Sequence, residues 1–80
     1  MEAITLDSLT NVMRETFVRP DLQIDLTTRS SDVPGWDSLS HVRLILALED
    51  AFDVTLDVGD TIELADVGAL LAYVQKQGRV

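Results

Sequence analysis

The stretch from Gly35 to Phe52 reads GWDSLSHVRLILALEDAF, and the rest of the chain is organised around it. It opens on a glycine turn, offers Asp37 as a helix cap, and places Ser38 at the first helical position. Val42, Leu44, Ile45, Leu46, Ala47, Leu48, Ala51 and Phe52 then leave little of the helix surface polar. A helix apolar on one stripe packs against one neighbour, whereas one apolar almost all round needs cover on several sides. In so short a chain such a helix is central, with part of its excess surface available to a partner.

Working outward, the segment before it carries Leu6, Leu9, Val12, Met13 and Phe17, the spacing of one helical face. Thr5 or Asp7 is positioned to cap it. The helix is expected over residues 6–18, ending at Val18 or Arg19 because Pro20 disfavours helical geometry in the residue before it. Residues 19–36 form a long connection rich in Asp, Thr, Ser and Pro. Within it Leu22, Ile24 and Leu26 alternate with polar residues and are expected to plug onto the helices. An isolated strand there would leave backbone groups unpaired, so a loop is the expectation.

After the central helix, expected over residues 38–51 with Asp53 helping to end it, Asp57 to Glu63 suggests one or two irregular turns. Asp66 then reads as the cap of a last helix whose apolar face is Val67, Leu70, Leu71 and Val74, flanked by Tyr73. Lys76 falls in its final turn and Gly78 just after, as expected at a helix C-terminus. The fold class is therefore all-α: residues 1–80 form a single domain, a small four-helix bundle of three main helices and one short one with a long first loop.

The chain has 80 residues, 46% of them hydrophobic and 25% charged, with no cysteine and one histidine. Disulfides and thiolate metal sites are excluded, and a conventional zinc site is not expected. No apolar run is long enough to span a bilayer, so the expected location is the cytoplasm. Fourteen acidic residues against six basic ones give a formal net charge of −8. That argues against nucleic acid and anionic membranes as partners. From Asp37 to Asp66 there are eight carboxylates and one basic residue, Arg43. The bland explanation is solubility; the sharper one is steering toward enzymes with basic docking patches.

Position alone favours Ser38 as an ordinary helix-start serine. The functional alternative rests on the free N–H groups and positive dipole end found there, which favour a phosphate. Asp37, Ser38 and His41 also lie close together, but serine catalysis needs a base, its orienting group, an oxyanion hole and a cleft. No G-x-S-x-G turn is present, and the chain is too short for an obvious pocket. No catalytic residue is assigned. His41 is expected on the helix surface, paired with a nearby acid, and Trp36 as a loop anchor.

Asp37–Ser38–Leu39, D-S-L, followed by the run from Val42 to Phe52, resembles the acyl carrier protein family of phosphopantetheine-binding domains. With the first helix, the long loop and the spacing of Leu56, Ile62 or Leu64, Val67, Leu71, Tyr73 and Val74, the resemblance covers nearly the whole chain. D-S-L alone is a weak tripeptide; with that helix, in an acidic chain of this length, it is specific. The resemblance implies a non-enzymatic carrier bearing covalent 4′-phosphopantetheine on Ser38, flanked by Asp37 and Leu39. A phosphopantetheinyl transferase with its own Mg²⁺ would attach the arm, and the carrier itself would hold no metal. Acyl-loading and acyl-transfer or condensing enzymes would be its partners, and it would act as a monomer. Leu39 and Leu46 would give apolar docking contact, with Arg43, Glu49 and Asp50 supplying charge. Leu44, Ile45, Leu48, Ile62, Leu64 and Leu71 are candidates to line a cargo site, with core packing preferred for Leu44, Leu48 and Leu71.

Family members of fatty-acid synthesis commonly show acids just after D-S-L. Here those places hold Ser40 and Arg43, with His41 between. This departure, with Trp36 before the motif, points to specialised polyketide-like or modified-lipid biosynthesis. Two rivals remain: an aminoacyl or peptidyl carrier, against which the charge leans, and an unmodified helical adaptor using residues 38–51 as a binding face.

Overall fold

The computed structural model describes residues 4–78, so residues 1–3 and 79–80 of the expected single domain lie outside the described residues. Four helices run α1 (Leu6–Thr16), α2 (Ser38–Phe52), α3 (Val58–Ile62) and α4 (Val67–Gln77), with a 3-10 turn at Ser30–Asp32 inside the long connection. Among the described residues there is no strand, which agrees with the loop expected there.

Local chemistry sets each start. Thr5 caps α1 through a reciprocal pair with Ser8: the Ser8 amide donates to the Thr5 hydroxyl, and the Thr5 amide to the Ser8 hydroxyl. Asp37, Asp57 and Asp66 cap α2, α3 and α4, each accepting from an amide two or three residues on. Such a side chain satisfies a donor that the helix itself leaves unpaired.

The end of α1 differs from expectation. The helix stops at Thr16, ahead of Val18 or Arg19, and Pro20 is not the local cause. Val18 adopts φ +52, while the Arg19 amide reaches back to the Arg14 carbonyl and the Val18 amide to that of Glu15. These two bonds make a Schellman motif, a closure that usually places glycine at the left-handed position.

Leu9 and Met13 of α1, Leu44, Ile45, Leu48 and Phe52 of α2, and Val67, Leu70, Leu71 and Val74 of α4 form one buried core with Leu56. Leu22 and Ile24 pack against it as expected. Leu26 does not: its side chain is 51% exposed, and its backbone is what the fold uses. The Gly68 amide donates to the Leu26 carbonyl and the Val67 amide to that of Thr28, each at 2.8 Å. Two of the amides left unpaired at the start of α4 are thus satisfied by a loop some forty residues earlier.

The approach to α2 is a tight turn. Trp36 donates its amide to the Val33 carbonyl at 3.1 Å across Pro34 and Gly35, and Gly35 has φ +90. Proline followed by a residue of positive φ is the pattern of a type II turn, and glycine supplies that φ without strain.

Candidate functional site

Ser38 stands where the sequence places it, exposed at the first position of α2. Asp37, just before it, accepts from the Ser40 amide at 2.9 Å. Bonds from the Ser40 amide and then the Ser40 hydroxyl hold the Asp37 carboxyl below its ordinary 3.8, so it is ionised at neutral pH. The start of α2 differs from that of α4: no backbone carbonyl among the described residues accepts from the Ser38 or Leu39 amide. A phosphodiester on the Ser38 oxygen would therefore lie at an open, partly positive helix end. The exposed hydroxyl fits a bulky covalent group without any movement of the core.

Beside Ser38 opens a cleft of about 400 Å³ between the mouth of α2, α3 and the start of α4. Its apolar walls are Val42, Ile62, Leu64, Ala65 and Leu70, and its polar ones Ser30, Trp36, Asp37, His41, Thr61 and Asp66. Of the six candidates for a cargo lining, Ile62 and Leu64 border this cleft. Leu44, Ile45, Leu48 and Leu71 are instead buried in the core. Periodicity marked Val42 and Leu70 as apolar, but nothing in it directed them to the mouth of α2.

His41 is half-buried instead of the surface residue expected, and no acid among the described residues is bonded to it. Its Nδ1 lies 3.0 Å from the Trp36 indole nitrogen and its Nε2 2.9 Å from the Thr61 hydroxyl. The indole and imidazole planes lie within 15° of each other with centroids 6.1 Å apart, and the Phe17 ring lies 5.9 Å from the indole at a tilt of 43°. Trp36 is thus the loop anchor anticipated, with His41 as its partner. Burial pushes the His41 pKa below its ordinary 6.5. The signal available in the sequence was a lone histidine five residues after a lone tryptophan, but its third partner lies twenty residues on.

The α2 surface also divides cleanly. Leu39 and Leu46 are 63% and 58% exposed, Val42 and Arg43 are exposed beside them, and Ile62 of α3 is 68% exposed. Asp50 is exposed near the far end of α2. Glu49 is half-buried and accepts the Leu56 amide on one carboxylate oxygen at 2.9 Å, so part of its capacity goes to the connection between α2 and α3. No helix among the described residues is long and apolar enough to cross a membrane.

Comparison with known proteins places this geometry. The family model described as "Phosphopantetheine attachment site" matches residues 7–74. An acyl carrier protein of an Exiguobacterium species is 42% identical over 41 residues, which is 51% of this chain and 52% of that protein. One from Desulforapulum autotrophicum is 37% identical over 43 residues, 54% and 56% of the two chains. These two matches span about half the length of each relative. One from Exiguobacterium sibiricum is 29% identical over 76 residues, 95% of both chains. The solution NMR structure of holo acyl carrier protein from Geobacter metallireducens superposes with a TM-score of 0.76 at 39% identity, covering 94% of this chain and 86% of that one.

Proposed function

The chain belongs to the acyl carrier protein family of phosphopantetheine-binding carrier domains, and from that premise we propose that Ser38 is where its 4′-phosphopantetheine is attached. The observation carrying this reading is the exposed Ser38 at the capped, uncovered start of α2. The Ser38 hydroxyl attacks the phosphorus of coenzyme A that bears the pantetheine arm. A serine O–P bond forms, the bond to 3′,5′-ADP breaks, and the hydroxyl proton passes to a base of the phosphopantetheinyl transferase. Mg²⁺ belongs to that enzyme. When attached, the arm supplies the thiol that holds acyl groups as thioesters.

The chain's own work is presentation. Asp37 fixes the first turn, so the arm leaves from a defined point and its cargo reaches partner sites at high effective concentration. Leu39 and Leu46 give partners an apolar contact, with Arg43, Asp50 and the free oxygen of Glu49 around it. The formal charge of −8 steers the carrier to basic patches on acyl-loading and acyl-transfer or condensing enzymes. It works as a cytoplasmic monomer. Ser40 and Arg43, at places where acids are usual, support a role in specialised polyketide-like or modified-lipid assembly.

The test is intact mass after incubation with coenzyme A, Mg²⁺ and a broad-specificity phosphopantetheinyl transferase. The wild type gains one phosphopantetheine and Ser38→Ala gains none. A wild type left unchanged, with a carrier control modified in parallel, leaves only the helical adaptor.

A further inference from the structure

We infer that His41 is a positioning residue: its neutral imidazole ties Trp36, on the approach to Ser38, to Thr61 on α3, and protonation of that imidazole releases Trp36. The hydrogen assignment follows from the partners. An indole nitrogen only donates, so His41 Nδ1, 3.0 Å away, accepts and carries no hydrogen. The imidazole hydrogen therefore sits on Nε2 and is donated to the Thr61 oxygen at 2.9 Å. Thr61 is free to accept because its own hydroxyl donates to the Val58 carbonyl at 2.7 Å. One unbranched chain of donors thus runs from the segment before Ser38, through α2, into α3, along one wall of the cleft.

A second proton has one place to go. It binds Nδ1, where the indole N–H already points, and two donors then face each other at a distance set for a donor and an acceptor. The bond to Thr61 survives, because Nε2–H still donates. Trp36 is the group whose indole lets go, held afterwards by packing on Phe17 and the core, with its amide still bonded to the Val33 carbonyl. Ser38 lies two residues beyond Trp36, so the way its hydroxyl is presented carries the same pH dependence.

The charges around the imidazole do not replace this link. Asp37 and Asp66 share the cleft, but each turns one oxygen to a helix amide. From α3, the Asp60 carboxylate meets the Tyr73 hydroxyl at 3.4 Å, and Glu63 follows the helix exposed.

The experiment uses the unmodified chain, so its outcome is independent of whether Ser38 accepts an arm. Nitrogen-15 NMR of the imidazole at pH 8 is expected to report the Nε2–H tautomer. On acidification the single indole N–H signal and the Ser38 amide move together with the imidazole, at a midpoint below 6.5. His41→Gln flattens both signals over that range. Trp36→Phe keeps a ring but removes the donor that favours neutral imidazole, so the His41 midpoint rises toward 6.5. An Nδ1–H tautomer at pH 8, an indole signal that does not follow the imidazole, or an unchanged midpoint in Trp36→Phe overturns the proposal. The tautomer and the co-titration are read on the wild type, so an unfolded variant does not rescue it.

Discussion

The Gly68 amide donates to the Leu26 carbonyl at 2.8 Å, and a Cβ built on Gly68 would stand 2.8 Å from that same oxygen. The bond and the missing side chain are one arrangement: the loop clamps the first turn of α4 because residue 68 is bare. Helix propensity favours alanine over glycine by about 1 kcal/mol. Crowding a packed backbone costs about 1–3 kcal/mol and here also strains a hydrogen bond. Gly68→Ala is therefore expected to lower stability by roughly 1 kcal/mol net from those two magnitudes, read as a lower urea midpoint. A higher midpoint would mean that the loop moves aside freely.

Val18 closes α1 with φ +52 although its side chain is branched at Cβ and 84% exposed. A left-handed conformation costs an L-residue about 1–2 kcal/mol, and glycine escapes it. Glycine returns roughly half of that through greater freedom of the unfolded chain. Val18→Gly should raise stability by about 0.5–1 kcal/mol, read as a higher urea midpoint at constant slope. An unchanged or lowered midpoint would show that Val18 contributes packing beyond its backbone.

Leu46 and Leu48 lie two residues apart on α2 and face opposite ways, one 58% exposed and the other fully buried. Leu48→Ala should cost about 2–5 kcal/mol of stability through the cavity it leaves. Leu46→Ala should change stability by less than about 0.5 kcal/mol. Under the docking proposal, Leu46→Ala and Arg43→Glu both alter the transferase's KM in the mass assay, and Arg43→Glu changes its salt dependence as well. If KM and salt dependence stay constant in both variants, the docking face lies elsewhere.

Stability should also follow the protonation of His41. Its folded pKa is depressed below the ordinary 6.5, so the neutral form is the one the fold prefers. Its contribution is then fully present above about pH 6.5 and is lost as pH falls toward the folded value. The Asp37 and Asp25 carboxyls, also depressed, lose theirs only below their ordinary 3.8. Between pH 7.5 and 5 the melting temperature of the wild type should fall relative to that of His41→Gln, a difference that cancels the shared change in overall charge. Parallel curves would remove His41 from the account.

Much of the fold was written in the sequence by itself. Asp37, Asp66 and Thr5 cap the helices they precede, because a cap is a contact across two or three residues and needs no other part of the chain. The same locality placed Ser38 at an exposed helix start and put Leu9, Met13, Leu70 and Val74 in the core through their 3.6-residue spacing. Only the tertiary structure decided which side of the nearly all-apolar α2 stays exposed. Where apolar residues occupy every angle, periodicity carries no direction, and the neighbours choose. The tertiary structure also set the clamp of Leu26 and Thr28 on α4, and His41 between Trp36 and Thr61. Trp36 and His41 are five residues apart, but the other contacts join residues about twenty to forty positions apart, a separation at which chain order no longer implies proximity. Which hydrogen-bonding groups meet there is settled by the packing of the helices that carry them.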